Sequence, residues 1–110
     1  MAKDDYFKIV YVILTELYGC RKAGERVHLD DIGAERLQVN EGYLLSIFSE
    51  LLENGYIKGP VIRKTKTGMA VSDMEDIDIT MKGIEYLQEN SMMKKVMEAL
   101  KYVKDIIPGV

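Results

Sequence analysis

Three observations in the sequence predict an α+β fold that is mainly helical. Two short helical patterns lie within residues 30–54, separated by only a couple of residues. A stretch rich in β-forming and turn residues follows over 56–79, and helical patterns return over 80–90 and 91–107. With a further helix in front, this is the order of a winged helix-turn-helix with a two- to three-stranded antiparallel wing and an extra C-terminal helix. We therefore expect the 110 residues to form a single domain.

The first helix is expected from Asp4 to Tyr18. Apolar residues recur there at the i, i+3, i+4, i+7 spacing, and others widen the stripe until little of the circumference is polar. Such a helix should be buried on several sides. Gly19 is expected to end it, and the short β-prone segment 26–29 follows a polar loop.

The helix-turn-helix is expected to begin with a cap at Asp30 or Asp31, whose side-chain oxygen would accept from free amides of the first turn. The tight turn between the two helices needs a residue at positive φ, and Gln38 stands at that position. Asn40 then caps the second helix and Gly55 ends it. Two consecutive helices of an unrelated α bundle are the alternative interpretation of this pattern.

The wing is expected to be one hairpin. Residues 56–64 form its first strand, with Pro60 at an unpaired or edge position, and residues 70–80 form its partner. The hairpin turns either at Gly68, which can supply positive φ, or within the later VSDM segment. We favour Gly68, with a bulge over 72–75.

The hairpin leads into the next helix through a Thr-x-x-Gly step, in which Thr80 is the cap and Gly83 lets the helix start close to the sheet. Gly55 and Tyr56 leave the preceding helix in "LLENGYIKG", and the tail reads "MKKVMEALKYVKDIIPG". With these motifs the chain resembles, over nearly its full length, the YjcQ-like family of small winged-helix proteins of Gram-positive bacteria and their prophages. The resemblance implies the fold. It implies no established activity.

The residues that catalysis and metal binding require are scarce. His28 and Cys20 are each the single residue of their type, too few for a structural zinc site. Cys20 stands beside Arg21 and Lys22, which could favour a thiolate, but we interpret it as a small residue closing a helix end. The acidic segment 73–78 lacks the spacing and glycine of a calcium loop. We expect no enzymatic activity, no cofactor and no metal, and no small-molecule ligand is evident from the sequence.

The net charge and the hydropathy of the chain limit the classes of partner that it is expected to bind. The net charge of −3 gives no global attraction to nucleic acid, so such a partner would need a local basic patch. No apolar run approaches the roughly 20 residues that span a bilayer. The polar, acidic N-terminus does not resemble a secretory signal, and the single cysteine fits a reducing compartment. We expect a cytoplasmic protein with no membrane partner.

A local basic patch lies on the predicted wing. Lys58 and three further cations occur with no acid between residues 54 and 72. The residues expected to contact the DNA backbone from the wing are Arg63, Lys64, Thr65 and Lys66. The alternative is a solvated basic loop that the nearby acidic segment balances.

The helix that Asn40 caps and Gly55 ends is expected to be a weak recognition helix. Its only charged side chains are Glu41, Glu50 and Glu53. The residues on its open side that could approach DNA are Gly42, Tyr43, Ser46 and Ser49. Affinity would have to come from the wing and from cations elsewhere, such as Lys22, Arg26 and Arg36.

The predicted last helix supports a competing function. It carries apolar residues at the 4-3-4 spacing of a short helical seam, expected to form a homodimer interface: Val96, Leu100, Val103 and Ile107. We expect a small winged-helix protein that binds double-stranded DNA, a transcription regulator of bacterial or phage origin. The alternative is a winged-helix protein–protein interaction module that does not bind DNA.

Overall fold

The computed structural model describes residues 5–90 together with residues 94, 95 and 98. The helices are α1 (Asp5–Ala23), α2 (Ala34–Leu37), α3 (Glu41–Glu53) and α4 (Met81–Glu89), with 3-10 turns at Leu29–Ile32 and Met74–Asp76. The strands are β1 (Ile57–Lys58), β2 (Val61–Thr65), β3 (Gly68–Ser72) and β4 (Asp78–Ile79). The fold is therefore α+β and mainly helical, with two small antiparallel sheets, and it is consistent with a winged helix.

The predicted last helix is described only in part. Residues 94, 95 and 98 are helical, whereas the four predicted dimer positions, Val96, Leu100, Val103 and Ile107, lie outside the described residues. Among the described helices, none combines the length and the apolar character needed to cross a bilayer.

The central helix α1 is buried on several sides, as its broad apolar stripe predicts. Its buried residues are Ile9, Val10, Val12, Ile13, Leu14 and Leu17. The prediction that Gly19 ends the helix is wrong, because α1 continues to Ala23. The glycine that ends it is Gly24, at φ +70°, where the amide of Glu25 donates to the carbonyl of Cys20 at 2.9 Å.

The segment after α1 differs from the sequence-based expectation. Residues 26–28 form no strand; Val27 is buried, and the chain then enters the 3-10 turn, where Ile32 reaches the core. The predicted cap at Asp30 or Asp31 is also wrong, since α2 begins after Gly33 without a side-chain cap.

The turn between α2 and α3 is as predicted. Gln38 has φ 57° and ψ 47°, the left-handed conformation that a tight turn requires. Asn40 caps α3, because its side-chain oxygen accepts from the amides of Gly42 (2.7 Å) and Tyr43 (3.4 Å). The core residues of α3 are Leu44, Ile47, Phe48 and Leu51, with Leu52 half-buried beside them.

The hairpin is divided into two ladders. Ile57 pairs with Ile79 close to the helices, whereas β2 and β3 pair from Val61–Ser72 out to Thr65–Gly68. The outer turn therefore lies directly before Gly68, which confirms the favoured position.

The prediction of one continuous first strand is wrong, because the chain breaks at Gly59-Pro60. Gly59 has φ +109°, and a Cβ there would overlap the carbonyl of Asp76. Pro60 is buried and has no amide hydrogen for a ladder. On the opposite side, Asp73 at φ 57° and a 3-10 turn replace the expected bulge.

The sheet and α4 are joined closely, as the Thr-x-x-Gly step predicts. The Thr80 hydroxyl accepts from the amide of Gly83 at 3.0 Å and donates to the carbonyl of Gly55 at 2.5 Å. A Cβ on Gly83 would overlap the carbonyl of Tyr56 and would lie 2.8 Å from a side-chain carbon of Ile79. Only glycine allows this approach without a shift of the backbone.

Candidate nucleic-acid interface

The wing, defined here as residues 61–72, carries its cations on two faces. Arg63 is opposite Ala70 and Lys64 is opposite Met69 in the ladder. Since successive side chains of a strand point to opposite faces, Arg63 and Lys64 cannot both lie on one face. Lys66 stands in the turn. All three are exposed, and none forms an ion pair with an acid in the part of the chain that the structure describes.

The nearest acids in sequence lie at the other end of the wing. Asp73 follows the Val61–Ser72 pair, which is three residues from the Lys64–Met69 pair. At about 3.3 Å per residue this separation is roughly 10 Å along the strand, about one Debye length in 0.1 M salt. Screening over that distance weakens the attraction of these acids for Lys64 and Lys66, whereas the Arg63–Ala70 pair lies one residue nearer to them. The alternative of a basic loop neutralised by the acidic segment is thereby weakened.

Thr65 is engaged within the wing itself. Its hydroxyl donates to the carbonyl of Gly68 at 3.1 Å and so helps to close the turn. Phosphate oxygens accept hydrogen bonds, and a hydroxyl has only one hydrogen to donate. In this conformation Thr65 shapes the tip, and the cationic side chains are the available donors.

The open side of α3 offers few donors. Gly42 and Tyr43 are exposed in its first turn, and Ser46 and Ser49 are half-buried further along. Gly42, Ser46 and Ser49 follow one another at i, i+4 and i+7, so they form a stripe of small residues on one side of the helix. The Ser46 hydroxyl donates to the carbonyl of Tyr43 at 2.8 Å, which occupies its hydrogen.

An acidic cleft of about 550 Å³ adjoins the N-terminal ends of α2 and α3. Asp30, Glu35 and Glu41 contribute carboxylates to its lining, and Arg36 is the one cation among its lining residues. A phosphate backbone near this cleft would meet net negative charge. The surface around this cleft, here called the helix-turn-helix face, is therefore negatively charged, whereas the wing is positively charged.

Arg36 does not offer its charge to a partner, contrary to its predicted role. Its guanidinium donates to the carbonyl of Asp31 at 2.9 Å and to the carboxylate of Glu16 at 3.3 Å. The Asp31 carboxylate lies 3.6 Å away, and the Arg36 side chain is only 17% exposed. The residue ties α2 to α1, and its aspartate partner is one of the two that the sequence suggested as a helix cap.

The other two supplementary cations are more accessible. The ammonium of Lys22 lies 4.5 Å from the ring centroid of Tyr18, a cation–π contact on the surface. Arg26 lies 3.9 Å from the carboxylate of Asp76 and has a side chain 79% exposed. An exposed pair at that distance restrains the arginine weakly.

Two features that the sequence raised for other chemistry are the Cys20 thiol and the acidic segment 73–78. Burial, followed by the nearby acids Glu16 and Glu25, raises the pKa of the Cys20 thiol, which disfavours the alternative of an activated thiolate. Carboxylates of Asp73 and two neighbouring acids approach within 4.8 Å of one another on an exposed turn. Such solvated clusters are common at protein surfaces and do not have the order of a calcium loop.

Fold and site together define a small, mainly helical α+β protein, consistent with a winged helix, in which the β2–β3 hairpin is cationic and the α2–α3 side is acidic. A family model described as "YjcQ protein" matches residues 11–106, most of the chain. The chain therefore belongs to the YjcQ family. No curated protein and no solved structure matches it.

Proposed function

We propose that this protein is a small DNA-binding protein, a transcription regulator of bacterial or phage origin, that holds double-stranded DNA through its wing. The observation that carries the proposal is the outer wing, where Arg63, Lys64 and Lys66 are exposed without an acidic partner among the described residues. Lysine and arginine in such an arrangement bind phosphates and release counterions.

In this mechanism the wing supplies affinity and α3 contributes little to it. The cations bind phosphate oxygens, while the stripe of Gly42, Ser46 and Ser49, with Tyr43 at its edge, lies over a groove. Glu41, in the same first turn of α3, would accept only from a base donor such as cytosine N4. Helix α3 would therefore discriminate only weakly between DNA sequences.

The proposal extends to partners and location. The protein acts in the cytoplasm as a homodimer through its last helix and carries out no catalysis. Two copies would present two wings, and simultaneous contact raises the effective affinity for one duplex. This arrangement allows a chain with few phosphate contacts to bind at moderate salt.

The second candidate function is a protein–protein interaction module. Its specific support is the acidic cleft at Asp30, Glu35 and Glu41, together with apolar side chains at the surface, of which Met81 is 76% exposed. A negative face and an exposed methionine suit a protein partner better than a phosphate backbone.

A titration of duplex DNA in low and higher salt separates the two functions. With three phosphate contacts, the slope of log affinity on log salt is about −2.7, so affinity falls roughly 40-fold between 50 and 200 mM salt. The variant with Arg63, Lys64 and Lys66 all changed to Ala should lose most of this binding and its salt dependence. Equally negligible binding by the wild type and this variant would favour the protein partner.

A matched control uses three exposed lysines elsewhere. Changing Lys82, Lys94 and Lys95 to Ala removes the same charge but leaves the wing and the supplementary cations Lys22 and Arg26 intact. If the wing is the binding element, this control retains the affinity that the wing variant loses. Equal losses in both variants would show that overall charge is responsible and would refute wing anchoring.

Single substitutions then identify the face of the wing that meets DNA. Arg63→Ala removes a cation from one face and Lys64→Ala removes one from the other. A wing lying flat on the backbone should lose affinity strongly in one variant and weakly in the other, whereas insertion into the minor groove should make both costly.

A further inference from the structure

An aromatic cleft of about 260 Å³ lies on the body of the protein, apart from the wing. Four aromatic side chains line it: Tyr6, Phe7, Tyr56 and Tyr86. The carboxylate-bearing residue of its lining is Glu50, at the C-terminal half of α3. Three helices and the start of the hairpin thus contribute to one small concave site.

The rings are held in place by packing against one another. Tyr56 and Tyr86 are stacked with centroids 4.4 Å apart and planes 18° from parallel. Tyr6 and Phe7 meet edge-on, with centroids 5.3 Å apart. All four are half-buried and pack against the core, so part of each ring is fixed while part remains accessible. The aromatic surface is preorganised for a ligand.

The charge of the cleft comes from Glu50. The Tyr6 hydroxyl donates to one oxygen of its carboxylate at 3.2 Å, which orients the group. Its second oxygen has no hydrogen-bond donor in the described part of the chain. A carboxylate beside aromatic rings is poorly matched to a neutral apolar ligand, which would remove its water without replacing it.

One ring of the cleft already attracts a cation. The ammonium of Lys82 lies 5.5 Å from the centroid of Tyr56, within the range of a cation–π contact. This ammonium comes from α4 and is not part of the cleft lining. The Tyr56 ring thus has a cation within contact range, and this ammonium would compete with any cationic ligand.

We propose that the aromatic cleft binds a small organic ammonium ion of about the size of choline. Aromatic faces and one carboxylate are the groups that recognise such ions, the first by cation–π attraction and the second by charge. The volume of about 260 Å³ is slightly below the usual range of roughly 300–1,000 Å³ for ligand sites, so the cleft suits a head group rather than a larger molecule. The site is independent of the wing and of DNA binding.

The test is a proton NMR titration of choline with the full chain. An aromatic site should shift the methyl resonance of choline upfield, because the methyl protons lie over ring faces, and the shift should saturate. The neutral analogue with carbon in place of nitrogen is the control ligand, and it should bind clearly more weakly. Absence of a saturable upfield shift, or equal binding of the neutral analogue, would overturn the proposal.

Charge variants test the assignment of the site without altering its rings. Glu50→Gln should weaken choline binding about two- to five-fold, the loss expected for an exposed ion pair. Glu53→Gln, the same change one turn further along α3 and outside the cleft lining, should leave binding unchanged. Lys82→Met should strengthen binding roughly two-fold by removing the competing ammonium. Equal weakening in the two glutamine variants would contradict the assignment.

Discussion

Gln38 offers the most direct test of the turn between α2 and α3. Its φ of 57° and ψ of 47° place a residue with a Cβ in the left-handed region. Its side chain is exposed, while its amide donates to the carbonyls of Ala34 and Glu35. Glycine at this position would keep the backbone hydrogen bonds and remove only the crowding between Cβ and the carbonyl.

The magnitude follows from two opposing terms. The left-handed conformation costs an ordinary residue roughly 1–2 kcal/mol, whereas glycine loses about 0.5–1 kcal/mol more backbone entropy on folding. Gln38→Gly should therefore raise the free energy of unfolding by about 0.5–1 kcal/mol. For a chain of this length the melting temperature should rise by roughly 2–5 °C.

Thermal and urea denaturation followed by circular dichroism would measure this gain. Gln38→Ala is the control, because it removes the same polar group and keeps the Cβ; its stability should stay within about 0.5 kcal/mol of the wild type. If glycine were no more stable than alanine at this position, the left-handed geometry would not be the strained feature and the reasoning would be refuted.

Three further predictions concern packing, an ion pair and pH. Gly83→Ala should lower the free energy of unfolding by about 1–3 kcal/mol in urea denaturation, because the new methyl group meets the carbonyl of Tyr56; a neutral result would contradict that close contact. Arg36→Ala should cost about 1.5–3 kcal/mol in the same assay, because it removes charged hydrogen bonds of a side chain that is 17% exposed. Arg26→Ala, at 79% exposure, should change stability by less than about 0.5 kcal/mol, and equal effects would refute the structural role of Arg36. Burial, followed by the charge of Glu50, raises the pKa of Tyr6 to about 12 from an ordinary value of 10.0. The folded state thus holds this proton more tightly, so stability should be constant below pH 10 and decline from pH 10 to 12, and Tyr6→Phe should reduce that decline.

The features that the sequence predicted correctly are those that a few neighbouring residues determine. Asn40 and Thr80 carry short side chains that reach the amides two or three residues ahead, so their capping requires no tertiary information. The positive φ of Gln38 follows from the short connection between α2 and α3, since so tight a turn requires one residue in the left-handed conformation. Gly83 follows from the Thr-x-x-Gly step, and in the structure a Cβ at this position would overlap the carbonyl of Tyr56.

The errors lie where distant segments decide between local alternatives. Gly19 and Gly24 are both acceptable helix ends by composition. The helix continues past Gly19 to Ala23, and its last turns contact β4 through Arg21, whose guanidinium donates to the Ile79 carbonyl at 2.7 Å. The break at Gly59 depends on the approach of Asp76, a residue on the far strand. The hydrophobic pattern of the sequence does not predict that contact.

In the candidate sites, too, the features that neighbouring residues determine were predictable, and those that depend on distant segments were not. The wing cations are adjacent in sequence, so their clustering was predictable, whereas their division between two faces required the register of the ladder. Arg36 looked available because its partner Glu16 lies 20 positions earlier, on another helix. The aromatic cleft joins Tyr6 to Glu50 across 44 positions, and no sequence motif marks it.

The opposite charges of the wing and the helix-turn-helix face constrain the proposed binding mode. A duplex held by the wing is repelled where it approaches Asp30, Glu35 and Glu41, and insertion of α3 into a groove would require the Glu41 carboxylate to lose water close to phosphates. A base donor would recover part of that cost only at sites with cytosine in register. Sequence preference would then arise mainly from rejection of unsuitable sites, while the affinity itself comes from the wing and depends strongly on salt. A regulator built in this way would need two wings on one duplex for tight binding, which would make dimer formation a requirement of the proposed DNA-binding function.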